Sequence, residues 1–196
     1  MIYFDNAATT FPKPAAVVRE MTKCMREYCG NPGRSSHKLA LAASEAIYDV
    51  RYGVADFFGI SKPENVIFTQ NATQALNLAI SGIARRGDHF IISNLEHNSV
   101  IRPMANLCEI RGMSYDTVDA LADDERLLRE IERRIRPNTK AVVMTHASNI
   151  CPRILPVTEI GALCRRYGIL YVVDAAQSAG VYDIDMMRDG ISVLCA

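Results

Sequence analysis

The stretch Ile169-Leu170-Tyr171-Val172-Val173-Asp174-Ala175-Ala176-Gln177-Ser178 limits what this chain can fold into more than any other. Five apolar residues run without a polar interruption, the pattern of a strand buried on both faces of a parallel sheet. The run stops at a carboxylate, and the carboxyl end of such a strand is where open α/β sheets hold their ligands. A buried carboxylate with no partner takes up a proton instead of keeping its charge. Asp174 therefore either faces a cation or caps its own turn.

The rest of the chain supplies the sheet that this strand needs. An irregular arm ends in Asn6-Ala7-Ala8-Thr9-Thr10-Phe11-Pro12, and a helix is predicted over 14–28 with proline near its first turn. The loop Gly30-Asn31-Pro32-Gly33-Arg34-Ser35-Ser36 leads to a helix over 37–58, capped by Ser35 or Ser36. Leu39, Ala43, Ile47, Val50, Val54 and Phe57 form its apolar stripe at helical period. Strands are then predicted at 66–69, 89–93, 114–118, 141–145 and 169–173, with one more starting near 191. Helices over 72–84, 98–111, 124–136 and 157–167 alternate with them, that at 124–136 an exposed one of mixed charge. Repeated βα units with short turns give an α/β fold of three layers, α/β/α, with a mainly parallel sheet and right-handed crossovers. No internal repeat, low-complexity tract or linker interrupts the pattern. The last residues, Ser192-Val193-Leu194-Cys195-Ala196, lie inside a predicted strand, so the domain is expected to be incomplete at its C-terminus.

Charge and composition narrow the partners. Twenty-two basic residues balance 22 acidic ones, which argues against nucleic acid and against a membrane surface, both of which favour a basic face. No apolar run approaches the ~20 residues that span a bilayer. The start Met1-Ile2-Tyr3-Phe4-Asp5 has neither a basic region nor a long apolar stretch, so the expected compartment is the cytosol. Six cysteines, at 24, 29, 108, 151, 164 and 195, contain no C-x-x-C and no histidine at metal-ligand spacing. They are expected to be mostly reduced core residues, with no metal bound.

In a parallel sheet, functional residues collect just after the strands, and here they do so four times. Gln70-Asn71-Ala72-Thr73 precedes a helix, whose free N–H groups and positive dipole end suit an anion. His97, in Asn94-Leu95-Glu96-His97-Asn98-Ser99, can stack on a flat ring or move a proton. Asn149, in His146-Ala147-Ser148-Asn149, can donate to a ligand oxygen, and Asp174 is followed three residues on by Gln177. Taken singly, these also read as a helix cap, a loop histidine and an asparagine that stabilises its own turn. Taken together along one sheet edge, they describe a pocket for an anionic cofactor with a cationic heteroaromatic ring. Pyridoxal phosphate (PLP) fits, because a carboxylate that keeps the ring nitrogen protonated lets the ring withdraw electrons from a substrate carbanion.

The motifs Tyr3-Phe4-Asp5-Asn6-Ala7-Ala8-Thr9-Thr10, Gly30-Asn31-Pro32-Gly33-Arg34, Asn71-Ala72-Thr73, Glu96-His97-Asn98-Ser99, His146-Ala147-Ser148-Asn149 and Asp174-Ala175-Ala176-Gln177-Ser178 resemble, as a set, the class V aminotransferases. These are fold-type I PLP enzymes, and the likeness is to their cysteine desulfurase and selenocysteine lyase branch. The resemblance implies that Ala72 and Thr73 cradle the phosphate and that His97 stacks on the ring. Asn149 then lies beside the ring hydroxyl, Asp174 pairs with the pyridinium, and Gln177 contacts the ring oxygen. Ala7, Ala8, Asn31 and Arg34 border the substrate, near a homodimer interface. Residues 1–14 become a small-domain arm and 15–196 a truncated PLP-binding large domain.

Two departures qualify the resemblance. Ile150-Cys151-Pro152-Arg153 replaces a small glycine-containing turn. The family's Schiff-base lysine, in a His-Lys pair, and its mobile nucleophilic cysteine both fall beyond Ala196, and Lys13, Lys23, Lys38, Lys62 and Lys140 stand in the wrong contexts to replace the lysine. The expectation is the N-terminal half of a cysteine desulfurase-like enzyme, which in full length converts cysteine to alanine and an enzyme persulfide, with a sulfur-acceptor protein as a further partner. By itself it is expected to be inactive and to bind PLP at most non-covalently. The alternatives are another class V activity (aminotransferase, epimerase or selenocysteine lyase) and a catalytically silent interaction or oligomerisation module. No G-x-G-x-x-G follows an early strand, which argues against a doubly wound dinucleotide binder.

Overall fold

Alternation of strand-forming and helix-forming runs produces the expected order of elements from residue 72 onward in the computed structural model, which describes residues 2–33 and 37–196. Two compact units result, one of Met1–Phe57 with Ser61–Ile67, the other of Phe58–Ile60 with Phe68–Ala196. Among the described residues no helix is long and apolar enough to cross a membrane.

In the first unit the arm turns tightly at Asn6, where Asp5 C=O accepts the N–H groups of Ala8 and Thr9 and Asn6 Oδ1 accepts that of Phe11. Helix α1 (Ala15–Lys23) starts after Pro14 and continues into a π-helical segment, Cys24–Tyr28, so the single helix expected over 14–28 changes its hydrogen-bond period near its end. Helix α2 spans Lys38–Phe57; its proposed caps, Ser35 and Ser36, lie outside the described residues. Of its expected stripe only Ala43 is buried and Val54 half-buried. Ala40, Ala43 and Ala55 are buried, whereas Leu39, Ile47, Val50 and Phe57 are exposed. Periodicity marks an apolar face, but the small side chains are those that allow close approach to neighbouring backbone.

The second unit holds the sheet. Helix α3 (Ala72–Ile83) precedes β1 (His89–Ser93), α4 (Asn98–Arg111), β2 (Ser114–Val118), α5 (Asp124–Arg134), β3 (Thr139–Thr145), α6 (Val157–Tyr167), β4 (Leu170–Asp174) and β5 (Val193–Cys195). All strand pairs are parallel, in the order β2-β1-β3-β4-β5. Successive side chains of a strand point to opposite faces, and the core divides accordingly. Ile91, Val142, Met144, Tyr171 and Val173 pack with Leu127 and Ile131 of α5 and Ile160 and Leu163 of α6. Phe90, Ile92, Val143 and Val172 pack with Leu76 and Ile80 of α3 and Val100, Met104 and Leu107 of α4. Both faces of the sheet are covered, which is why its central strands read as unbroken apolar runs.

Two sequence expectations need correction. The strand expected at 66–69 does not form: it pairs with none of the five described strands, and Ile67 and Phe68 are 67% and 50% exposed. Strand propensity requires a neighbour whose backbone can complete the ladder, and this run falls on the boundary between the two units. Of the six cysteines only Cys164 and Cys195 are buried; Cys29 is exposed and the other three are half-buried, all of them free thiols.

Candidate active site

Four connections meet at the carboxyl edge of the sheet. In the first, Asn71 adopts an extended backbone and its side chain accepts the Gln74 N–H at 2.9 Å, while Gln74 Oε1 reaches back to the Gln70 N–H at 2.8 Å. This reciprocal cap fixes the start of α3. The N–H groups of Ala72 and Thr73, in the first helical turn, have no intrahelical acceptor by construction, and with the helix dipole they form a site for an anion.

The second connection joins β1 to α4. His97 is the N-cap of α4: its Nδ1 accepts the Ser99 N–H at 3.1 Å and lies 2.8 Å from Ser99 Oγ. With Nδ1 occupied as an acceptor, the neutral imidazole carries its hydrogen on Nε2. One residue earlier, Glu96 is turned inward. Its Oε1 accepts the Ser93 hydroxyl and, at 2.8 Å, the Thr145 N–H.

The third connection follows β3. The Ile150-Cys151-Pro152-Arg153 departure forms a tight turn closed by an antiparallel bridge between Ala147 and Ile154. Ser148 Oγ accepts the N–H groups of Ile150 and Cys151 at 3.2 and 3.4 Å. Arg153 anchors the turn: its guanidinium donates to the carbonyls of Ala120 and Ala122 at 2.8 and 3.0 Å and to Asp124 at 2.6 Å. Asn149 stands exposed on this turn.

The fourth follows β4. Asp174 is 5% exposed, pairs in register with Thr145, and takes the Ala176 N–H on Oδ1 at 3.0 Å. Burial pushes its carboxyl above the usual carboxylate range, opposed by the Ala176 N–H and by the nearby His97. No ion pair among the described residues involves it. A carboxyl raised by burial gains most from a cation delivered to its free side.

Ala72, Thr73, His97, Asn149, Asp174 and Gln177, the six cofactor-binding candidates of the sequence, line one cleft of about 180 Å³. Of the four substrate-bordering candidates, Ala7, Ala8 and Asn31 belong to the other unit, where they are exposed, and Arg34 lies outside the described residues. Ser99 and Thr145 also line the cleft, and sequence reasoning missed them. Ser99 was legible, since a polar residue two positions after a candidate cap is its usual partner; Thr145 closes an apolar run and gave no sign of its own. No lysine and no cysteine lines the cleft, and Lys140 sits near the opposite end of β3.

The donor set suits PLP: an anion site at a helix start, an imidazole, an amide, and a buried carboxylate lacking a cation. PLP would bring a phosphate, a flat ring with oxygens at its edge, and a ring nitrogen that becomes cationic on protonation.

Comparison with known proteins identifies the family. A probable cysteine desulfurase of Methanothermobacter thermautotrophicus is 37% identical over 194 residues, covering 96% of this chain and 47% of its own length. The apo structure of a cysteine desulfurase from Thermococcus onnurineus NA1 superposes with a TM-score of 0.88 at 34% identity, over 98% of this chain and 48% of that one. A structure of C-DES with glycine covalently linked to its PLP cofactor reaches a TM-score of 0.85 at 23% identity, over 98% of this chain and 51% of that one, a likeness of fold. The chain thus spans about half the length of the curated relatives it matches. The family model for class V aminotransferases matches residues 2–196, and the chain belongs to that family.

Proposed function

We propose that these residues form the cofactor-holding part of a PLP-dependent site of the cysteine desulfurase type. The observation that carries this reading is Asp174, buried at the end of β4 beside an anion-binding helix start and held in no ion pair among the described residues. The N–H groups of Ala72 and Thr73 would take the phosphate, with the Thr73 hydroxyl as a further donor. His97, held by its cap to Ser99, would lie against the ring and offer Nε2 to a proton. Asp174 would keep a proton on the ring nitrogen, and Asn149 and Gln177 would contact the ring oxygen. When bound, PLP supplies an electron sink for a substrate carbanion. Ala7, Ala8, Asn31 and Arg34 are proposed to border the substrate, the first 14 residues acting as an arm and 15–196 as part of the large domain.

The proposed substrate is cysteine, in keeping with the relatives' being cysteine desulfurases by name, with selenocysteine the near alternative and a sulfur-acceptor protein downstream. The cleft contains neither a lysine to hold the cofactor covalently nor a thiol to attack sulfur. The 196-residue chain by itself is therefore expected to bind PLP reversibly and to release no sulfide. Titration with PLP followed by absorbance should give saturable binding, and borohydride treatment should leave no lysine labelled by mass spectrometry. A labelled lysine would overturn this reading. Alanine and sulfide release from cysteine, assayed on the intact gene product, separates a desulfurase from another class V activity.

A second reading is favoured by a specific observation: Leu39, Ile47 and Val50 of α2 leave an apolar stripe exposed in the single chain. Contiguous apolar surface of this kind marks contact sites, and we propose that it pairs with a second copy in a homodimer, which light scattering tests. The cytosol is the proposed compartment, where six free thiols persist.

A further inference from the structure

Glu96 has no role in the cofactor reading, although it precedes His97 in the chain and is bonded to Thr145, both of which line the cleft. It is 8% exposed. One of its oxygens, Oε1, accepts from Ser93, the last residue of β1, and from Thr145, the last residue of β3. That single atom ties the ends of two adjacent strands together and fixes the turn that carries His97. The other oxygen, Oε2, is fully buried and has no hydrogen-bond partner among the described residues. Asp174, on the neighbouring strand end, is close enough for its charge to act on Glu96. The neighbouring groups that bear on Glu96 are Ser93 of β1, Thr145 of β3, and Asp174 and Tyr171 of β4; none of them is basic.

We propose that Glu96 is a positioning residue of the cleft, which anchors the His97 turn to the end of β3 and carries on its orphan oxygen a proton that it releases to water when a cation arrives at Asp174. This rests on the cofactor reading above. Two buried carboxylates side by side without a cation cannot both ionise cheaply. Burial, with the charge of Asp174 adding to it, pushes Glu96 up to about 7 against the pull of its two hydrogen bonds. A protonated ring nitrogen on Asp174 cancels that charge and lowers Glu96, so binding the ring and releasing the proton are linked reciprocally.

The test uses NMR of the 196-residue chain with ¹³C-labelled glutamate carboxyls. In the wild type, Glu96 should titrate near neutrality. In D174N it should titrate lower by at least about half a pH unit, since the neighbouring charge is gone. Titration of Glu96 in the ordinary carboxylate range, or no difference in D174N, overturns the coupling. Saturation with PLP should produce the same downward shift. If PLP binds and Glu96 does not move, the link to the cofactor fails; if PLP does not bind, the cofactor reading fails, while the D174N comparison still decides whether the two carboxyls are coupled. Anchoring is read from hydrogen exchange at the Thr145 amide. E96Q, which keeps an acceptor oxygen, should protect it as the wild type does, and E96A should speed its exchange by about tenfold or more. Equal protection in E96A overturns the anchor. Should E96A fail to fold, faster exchange in E96Q overturns it instead.

Discussion

Asp174 and His97 illustrate how differently two residues of one site are written into a sequence. Asp174 was legible because an apolar strand ends on it, and a charge in that place asks for an explanation. His97 was legible as a candidate but not in its local role, since nothing in the one-letter string shows that the imidazole caps α4 through the Ser99 N–H. The two roles can be separated. H97A should cost about 1 kcal/mol of stability through the lost cap and should also weaken PLP binding. H97N keeps a capping acceptor but not the ring, so it should restore urea stability while leaving PLP binding weak; recovery of both would leave the ring without a part in binding. For Asp174, a hydrogen bond to a charged group is worth roughly 1.5–3 kcal/mol, so D174N should weaken PLP binding by about ten- to a hundredfold. The check is an absorbance titration of both proteins at the same pH, and unchanged affinity would remove Asp174 from the site. Glu96 escaped notice because a conventional polar letter in a turn motif carries no sign of burial.

Elements differ in legibility according to whether their partners lie nearby in the chain. The βα units from α3 to β4 follow from local pattern, since each strand finds its neighbour within one or two crossovers. The run at 66–69 has strand composition, yet it meets no ladder among the described strands. The stripe of α2 gave the helix but only one, Ala43, of the three alanines that it buries, because alanines contribute little to hydrophobic periodicity. The turn after β3 is the most informative case. Replacement of a small glycine-containing turn by Ile150-Cys151-Pro152-Arg153 leaves its shape open in the sequence, and the structure answers with Arg153, whose guanidinium satisfies two carbonyls and Asp124. R153Q removes a half-buried ion pair and leaves those carbonyls short of a donor. It should cost about 1–3 kcal/mol, measured by urea unfolding. It should also loosen the turn that carries Asn149, seen as faster hydrogen exchange at the Ser148 amide, which is bonded to the Arg153 carbonyl. A loss confined to stability, with that amide unchanged, would mean that the turn holds its shape by itself.

For the molecule as a whole, the buried titratable groups set a dependence of stability on pH in which opposing terms overlap. Glu96 is raised by burial from its usual 4.5 to about 7, so between those values the folded state holds a proton that the unfolded chain releases. Its contribution is full below the unfolded value and is lost as pH rises through the folded one. His89 and His146 act the other way. Both are lowered from 6.5, chiefly by burial, so the unfolded chain binds their protons more readily, and stability rises with pH up to that value. In the wild type these slopes offset one another across mildly acidic pH. Asp174, also raised by burial, adds to the falling side; E96Q removes the Glu96 part of it, so its urea midpoint should rise more with pH than that of the wild type. A displacement from 4.5 to about 7 in a group this deeply buried corresponds to a relative change on the order of 3 kcal/mol by neutral pH. The quantity to compare is the slope, because the substitution also shifts absolute stability. Parallel profiles for the two proteins from pH 4.5 to 7.5 would show that Glu96 ionises as readily in the fold as outside it. The proton assigned to its orphan oxygen would then have no basis.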